Sequence, residues 1–199
     1  MGSWMTYRFA ELVPVAWRNG GGVTREVARQ ASVDSPGWRV SMAELERPGP
    51  FSVMAGLKRH FTVIGTHPVT LILPDQRTTL VPRQSVVFDG DAAVECLLPE
   101  GASRALNLMY NPLQWQARVA WLTQGEPLQR HPGAETLVVA VGGTAWMSSR
   151  PAQSLNDCDL WYWPGQDPLL APVNAACETI KFETMPGTHL LSIDLRARG

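Results

Sequence analysis

Two stretches near the N-terminal end place charged residues where extended chain would display them. Residues 17–28 read WRNGGGVTREVA and residues 38–46 read WRVSMAELE. Side chains alternate faces along a strand. The first stretch therefore sets Val23, Arg25 and Val27 against Thr24, Glu26 and Ala28. The second sets Arg39, Ser41 and Ala43 against Trp38, Val40 and Met42, and the latter face is core. An arginine on a face that lines an interior is a buried cation and needs an anion. Glu26 can supply it, and so can the carboxylate of a ligand held in bidentate fashion. Arg59, in GPFSVMAGLKRHF, and Asn107, in RALNLMY, add to the same inventory. Two chemistries suit these residue types. Arg39 and Arg59 can hold a small carboxylate, or Glu26 can act as a general base while Arg39 stabilises a developing oxyanion. Taken singly, each residue is more often solvated or structural. Their concentration in the first 110 residues points to a site.

Gly20, Gly21 and Gly22 follow Asn19. A phosphate loop would next require a helix N-terminus and a Lys-Ser/Thr pair. Neither is present, since a strand pattern follows. Two uses stay open. Asn-Gly is a tight-turn signal because both residues tolerate positive φ. Extra glycine also allows the backbone to approach a ligand or another strand closely.

His60, His67, His131 and His189 are scattered, with no pair at i, i+2 or i, i+4, so no metal or other cofactor is expected. Cys96, Cys158 and Cys177 are odd in number and lack a CxxC, which predicts buried free thiols in a reducing cytoplasm. A formal net charge of -1 gives no reason to expect nucleic acid or an anionic membrane as partner. No apolar run has the length of a membrane span, and the first residues lack a signal-peptide pattern.

The elements that must position these residues are short. Pro and Gly, 16 and 17 of 199 residues, cut the chain into about a dozen strand-like runs, while hydrophobic residues at 45% provide for a core. The expected fold is all-β, a sandwich or barrel, with helical turns at most near residues 53–58 and 112–116. Residues 61–90 and 138–165 repeat one pattern. Each begins with an apolar strand ending at a glycine, Gly65 or Gly142. Each later reaches a leucine, Leu80 or Leu155, and a turn glycine, Gly90 or Gly165. This predicts two barrel-like halves, residues 1–112 carrying the pocket and residues 113–199, as one compact unit. The layout is similar to the cupin jelly roll. His131, Glu135 and Gly142 match the later part of its first motif, but Gln129 stands where a first histidine would.

WRNGGGVTREVA, WRVSMAELERPGPFSVMAGLKR, FDGDAAVECLL and LNLMYNP together resemble the HutD/Ves family. The likeness runs across almost the whole chain and is densest between Trp17 and Met109. It implies a bicupin, two small jelly-roll barrels in one chain, in a cytoplasmic bacterial protein. It further implies modulation of histidine utilisation through a bound carboxylate such as urocanate or formylglutamate, with no established catalysis. Carried onto this chain, the ligand site comprises Asn19, Thr24, Glu26, Arg39, Ser41, Arg59 and Asn107. Trp17 would stack on a planar ligand, and the backbone of Gly20, Gly21 and Gly22 would close one end. Ala105 and Leu106 stand where the family commonly has Asp-Phe, so an acidic group is absent. Kept beside this reading are a metal-free isomerase or hydrolase using Glu26, a metal-dependent dioxygenase that the histidine count disfavours, and a homodimeric assembly.

Overall fold

The computed structural model describes residues 4–32, 35–165 and 177–198. The chain divides into two compact units. One is Leu12–Trp115; the other combines Met1–Glu11 with Gln116–Gly199. The first strand, β1 (Met5–Tyr7), belongs to the second unit because it pairs with Leu160–Tyr162. Arg8 strengthens that attachment through Asp159, at 2.8 Å. The sequence pattern groups residues 1–11 with the first half, since a three-residue strand carries no sign of its distant partner.

The Leu12–Trp115 unit contains β2 (Pro14–Ala16), β3 (Gly22–Ser32), β4 (Ser35–Leu45), β5 (Gly49–Pro50) and β6 (Lys58–Val63). It continues with β7 (Val69–Ile72), β8 (Arg77–Leu80), β9 (Ser85–Asp89), β10 (Glu95–Leu97) and β11 (Ser103–Tyr110). Six of these form a sheet in the order β2-β3-β4-β11-β6-β9, and four form a second, β5-β10-β7-β8. Leu45, Phe61, Val63 and Ala105 of the larger sheet pack with Leu71, Leu80 and Cys96 of the smaller one. Burying such side chains between two sheets is the driving force of this architecture. Both faces of the central strands are covered: Leu106 and Leu108 are buried, and so is Asn107 between them.

The second unit holds all but the first residue of β12 (Trp115–Leu122), then β13 (Leu128–Arg130), β14 (Glu135–Val141), β15 (Ala145–Met147), β16 (Arg150–Leu155), β17 (Leu160–Trp163), β18 (Glu178–Ile180), β19 (Phe182–Thr184) and β20 (His189–Ala197). Its larger sheet runs β1-β17-β14-β20-β12, with smaller ones β16-β15-β19 and β13-β18. The repeat seen in the sequence is a repeat of pairing. In one unit β7 pairs β8 while β6 pairs β9; in the other β15 pairs β16 while β14 pairs β17. The anchor leucines, Leu80 and Leu155, are both buried.

The described residues contain no α-helix, only a 3-10 turn at Phe9–Glu11. Near residues 112–116 the chain makes a single helical turn, closed by the Trp115 N–H on the Asn111 carbonyl. Residues 51–57 form a turn without helix. No described helix is long and apolar enough to cross a membrane.

Candidate functional site

One face of the six-stranded sheet in the Leu12–Trp115 unit borders a cleft of about 600 Å3. Register explains its lining. Glu26, Ser41, Asn107 and Phe61 stand opposite one another across β3, β4, β11 and β6. The neighbouring rung runs Arg29, Arg39, Met109, Arg59 and Phe88. Next comes Thr24, Ala43, Ala105 and Val63. Directly opposed residues share a face, so two polar rungs lie against an apolar one.

Arg59 is the centre of this arrangement. It is buried, 6% exposed. Its guanidinium carbon lies 4.1 Å from the centre of the Phe51 ring, 5.7 Å from Phe88 and 5.9 Å from Phe61. Its Nε–H donates to Asn107 Oδ1 at 2.9 Å. No carboxylate pairs with it among the described residues. Aromatic faces attract a cation but do not neutralise it. Burial lowers the Arg59 pKa to about 10; the nearby Cys96 works against that shift, and Arg39 adds to it. The side chain is therefore still charged at neutral pH, an uncompensated buried cation beside an open cleft. Cys96 is buried too, and burial pushes its thiol up to about 12 against the pull of Arg59.

Glu26 is held differently. Its Oε2 lies 3.1 Å from Arg39 Nε and its Oε1 lies 3.4 Å from Arg29 Nε. In regular alternation residues 26 and 29 would face opposite ways. A β-bulge at Val27 inserts an extra residue between Glu26 and Ala28, so both charged side chains reach the same face. The Arg39–Glu26 contact is an ion pair without hydrogen-bond alignment, since Arg39 Nε donates to no acceptor.

Trp17, Asn19, Thr24, Glu26, Arg39, Ser41, Arg59 and Asn107, the side chains expected in the site, all line the one cleft. Two of them have local employment. The Trp17 indole N–H donates to Thr24 Oγ1 at 2.7 Å, and its ring sits edge-on to Phe51. Asn19 Oδ1 accepts the Gly21 N–H at 3.0 Å, while its Nδ2 donates to the Pro50 carbonyl at 3.3 Å. Gly20, Gly21 and Gly22, expected to close one end of the site, lie beside the cleft's Asn19 and Trp17 and do not themselves line it. Gly20 has φ +66, and a Cβ on Gly22 would stand 2.1 Å from the Glu44 carbonyl oxygen. They make a turn and let β3 approach β4. Phe51, Met54 and Met109 of the lining, and Phe88 behind Arg59, were missed by sequence reasoning. For Phe51 the signal was present in GPFS; Phe88 and Met109 join through register alone.

Among the described residues no three His, Cys, Asp or Glu side chains converge as a metal site. Glu135 of the cupin-like spacing instead accepts a hydrogen bond from the Tyr162 hydroxyl. One cysteine departs from expectation. Cys96 and Cys158 are buried, but Cys177 is exposed, because it precedes the short two-stranded pairing of β13 with β18. Its Sγ lies 3.1 Å from His131 Nδ1.

These features can be set beside known proteins. The chain is 34% identical over 160 residues to an uncharacterized 21.2 kDa protein in the hutC 3′ region of Pseudomonas putida, covering 77% of this chain and 83% of that one. HutD from Pseudomonas fluorescens SBW25, solved in a formate condition, superposes with a TM-score of 0.83 at 28% identity, covering 99% of this chain and all of that one. A cupin 2 conserved barrel domain protein from Leptotrichia buccalis superposes at 0.56 with 9% identity, over 98% of this chain and 96% of that one, so the all-β fold is cupin-like. The HutD family model matches residues 10–180. The chain belongs to the HutD family.

Proposed function

We propose that this chain is a ligand-binding bicupin that takes a small carboxylate, urocanate- or formylglutamate-like, and thereby modulates histidine utilisation in the cytoplasm. The observation that carries this reading is Arg59. A buried cation without an anionic partner costs stability, and a carboxylate entering the cleft would supply the partner. Charge-assisted hydrogen bonds in such surroundings are strong and directional. The Phe51, Phe61 and Phe88 rings cover parts of the guanidinium's surroundings and favour a ligand that reaches its open nitrogens. Membership of the HutD family, and the hutC-region name of the Pseudomonas putida relative, support the link to histidine utilisation.

The competing reading, a metal-free isomerase or hydrolase with Glu26 as base, has less support. Both Glu26 oxygens face guanidinium groups, so a proton transfer to Glu26 would sacrifice ion pairing. Calorimetric titration with urocanate and with N-formylglutamate tests the proposal. At least one should bind the wild-type protein and not Arg59→Met. Failure of both to bind, or unchanged binding in Arg59→Met, removes it. Turnover of either compound that disappears in Glu26→Gln would establish the enzyme instead.

A further inference from the structure

Gly90, the glycine that ends the first repeat, lies outside the cleft lining, yet it holds one wall of the cleft in place. Residues 51–57 cross from β5 to β6 without regular structure and bring Phe51, Ser52 and Met54 to the cleft. This segment is bonded to Gly90 from both sides. The Met54 N–H donates to the Gly90 carbonyl at 2.7 Å, and the Gly90 N–H donates to the Leu57 carbonyl at 2.7 Å. The approach is as close as backbone allows. A Cβ on Gly90 would stand 2.3 Å from the Met54 carbonyl oxygen and 2.9 Å from that of Leu57. Any side chain there would push the segment outward by about 1 Å to reach ordinary contact distance.

We propose that Gly90 is a positioning residue for the cleft: by admitting the 51–57 backbone, it seats Phe51 against Arg59. This rests on the carboxylate-binding reading above. It follows from where the contacts fall. Phe51 makes the shortest of the three aromatic approaches to the Arg59 guanidinium, at 4.1 Å. The Phe51 N–H is bonded to the Val94 carbonyl, so the segment is held at its start as well as at Gly90. The equivalent glycine of the second repeat, Gly165, admits backbone just as closely, away from the cleft of the first unit. Its Cβ would stand 2.8 Å from the Gly133 carbonyl oxygen, again in the backbone leading into the first strand of the repeat.

That equivalence supplies the control. Gly90→Ala and Gly165→Ala add one methyl group at matched places. Gly90→Ala should weaken binding of urocanate or N-formylglutamate at least about tenfold, while Gly165→Ala should lower thermal stability and leave affinity unchanged. Labelling by phenylglyoxal, located by mass spectrometry, gives a readout independent of any ligand. Arg59 should react faster in Gly90→Ala than in wild type, and at the wild-type rate in Gly165→Ala. Should Gly90→Ala not fold, Asp91→Ala decides, because it removes only the exposed carboxylate that accepts the Gly56 N–H at 3.4 Å. It should weaken binding about twofold; unchanged affinity and unchanged Arg59 labelling overturn the inference. Equal losses of affinity in the Gly90 and Gly165 variants also overturn it, as does wild-type affinity in a folded Gly90→Ala. If wild-type protein binds neither probe, the ligand reading falls, and Arg59 labelling alone then decides the positioning role.

Discussion

Asn107 accepts the Nε–H of Arg59 at 2.9 Å, with both side chains buried. A neutral amide satisfies one donor and leaves the positive charge unmatched. Asn107→Asp would put an anion in the same place. The prediction has two opposite signs: folding stability is retained or raised, while carboxylate affinity falls by about 1.4 kcal/mol or more, a tenfold change. Thermal denaturation and calorimetry on one preparation check both halves.

Arg39 differs from Arg59 in being a third exposed and in facing Glu26. Arg39→Ala should weaken carboxylate binding by roughly 1.5–3 kcal/mol, the scale of hydrogen bonds to charged groups. Its cost to folding should stay below about 1 kcal/mol, as for other screened ion pairs. Urocanate affinity equal to wild type in Arg39→Ala would exclude it from the site.

Cys96 makes stability sensitive to alkali. Its folded pKa, about 12, lies above its ordinary value of 9.0. Between these values the unfolded chain loses the thiol proton first, so stability falls as pH rises through that window. Arg59 acts in the opposite sense above about 10, where the folded state sheds its proton before the unfolded one. Comparing pH 8 with pH 11, wild type should therefore lose more stability than Cys96→Ala, by about 2 kcal/mol. Urea denaturation at both pH values gives the difference, and parallel losses in the two proteins would refute the assignment.

Gly22→Ala tests the close approach of β3 to β4. The added methyl group meets the Glu44 carbonyl oxygen and cannot be relieved by a side-chain rotation. A destabilisation of at least about 1–3 kcal/mol is expected, the usual cost of forced overpacking. A denaturation midpoint at the wild-type value would show that the strands separate freely there.

Much of this architecture could be read in the sequence. Trp38, Val40 and Met42 alternate with Arg39, Ser41 and Ala43, and the structure keeps that alternation through β4, with the first three buried. The repeat was legible because turn glycines and buried leucines recur at nearly equal spacing. The bulge at Val27 was not, because its presence depends on pairing with β4, and local pattern carries no pairing information. For the same reason Phe51 and Phe88 could not be placed against Arg59. Phe88 meets it through strand register, and Phe51 through the irregular segment between β5 and β6. The glycine triplet was open between a turn and a ligand loop, and the distances from Gly22 to Glu44 favour a structural use.

The paired architecture of the two units also bears on how the protein would respond to rising ligand. Matching the repeats by spacing and strand pairing sets Thr136 where the first unit has Arg59. Across the adjoining strand Asp194 stands where the first has Met109, and Trp163 corresponds to Phe88. Thr136 donates its hydroxyl proton to Asp194, whose pKa is raised by burial, so this rung carries an acid in place of a cation. The two units thus share a pairing frame but differ in chemistry at this rung, which suits an anion in the first unit and not in the second. Titration should therefore give one carboxylate per chain that is lost in Arg59→Met. A single site has no second site in the chain to cooperate with, so occupancy within one chain would climb smoothly with concentration, as a dial and not as a switch.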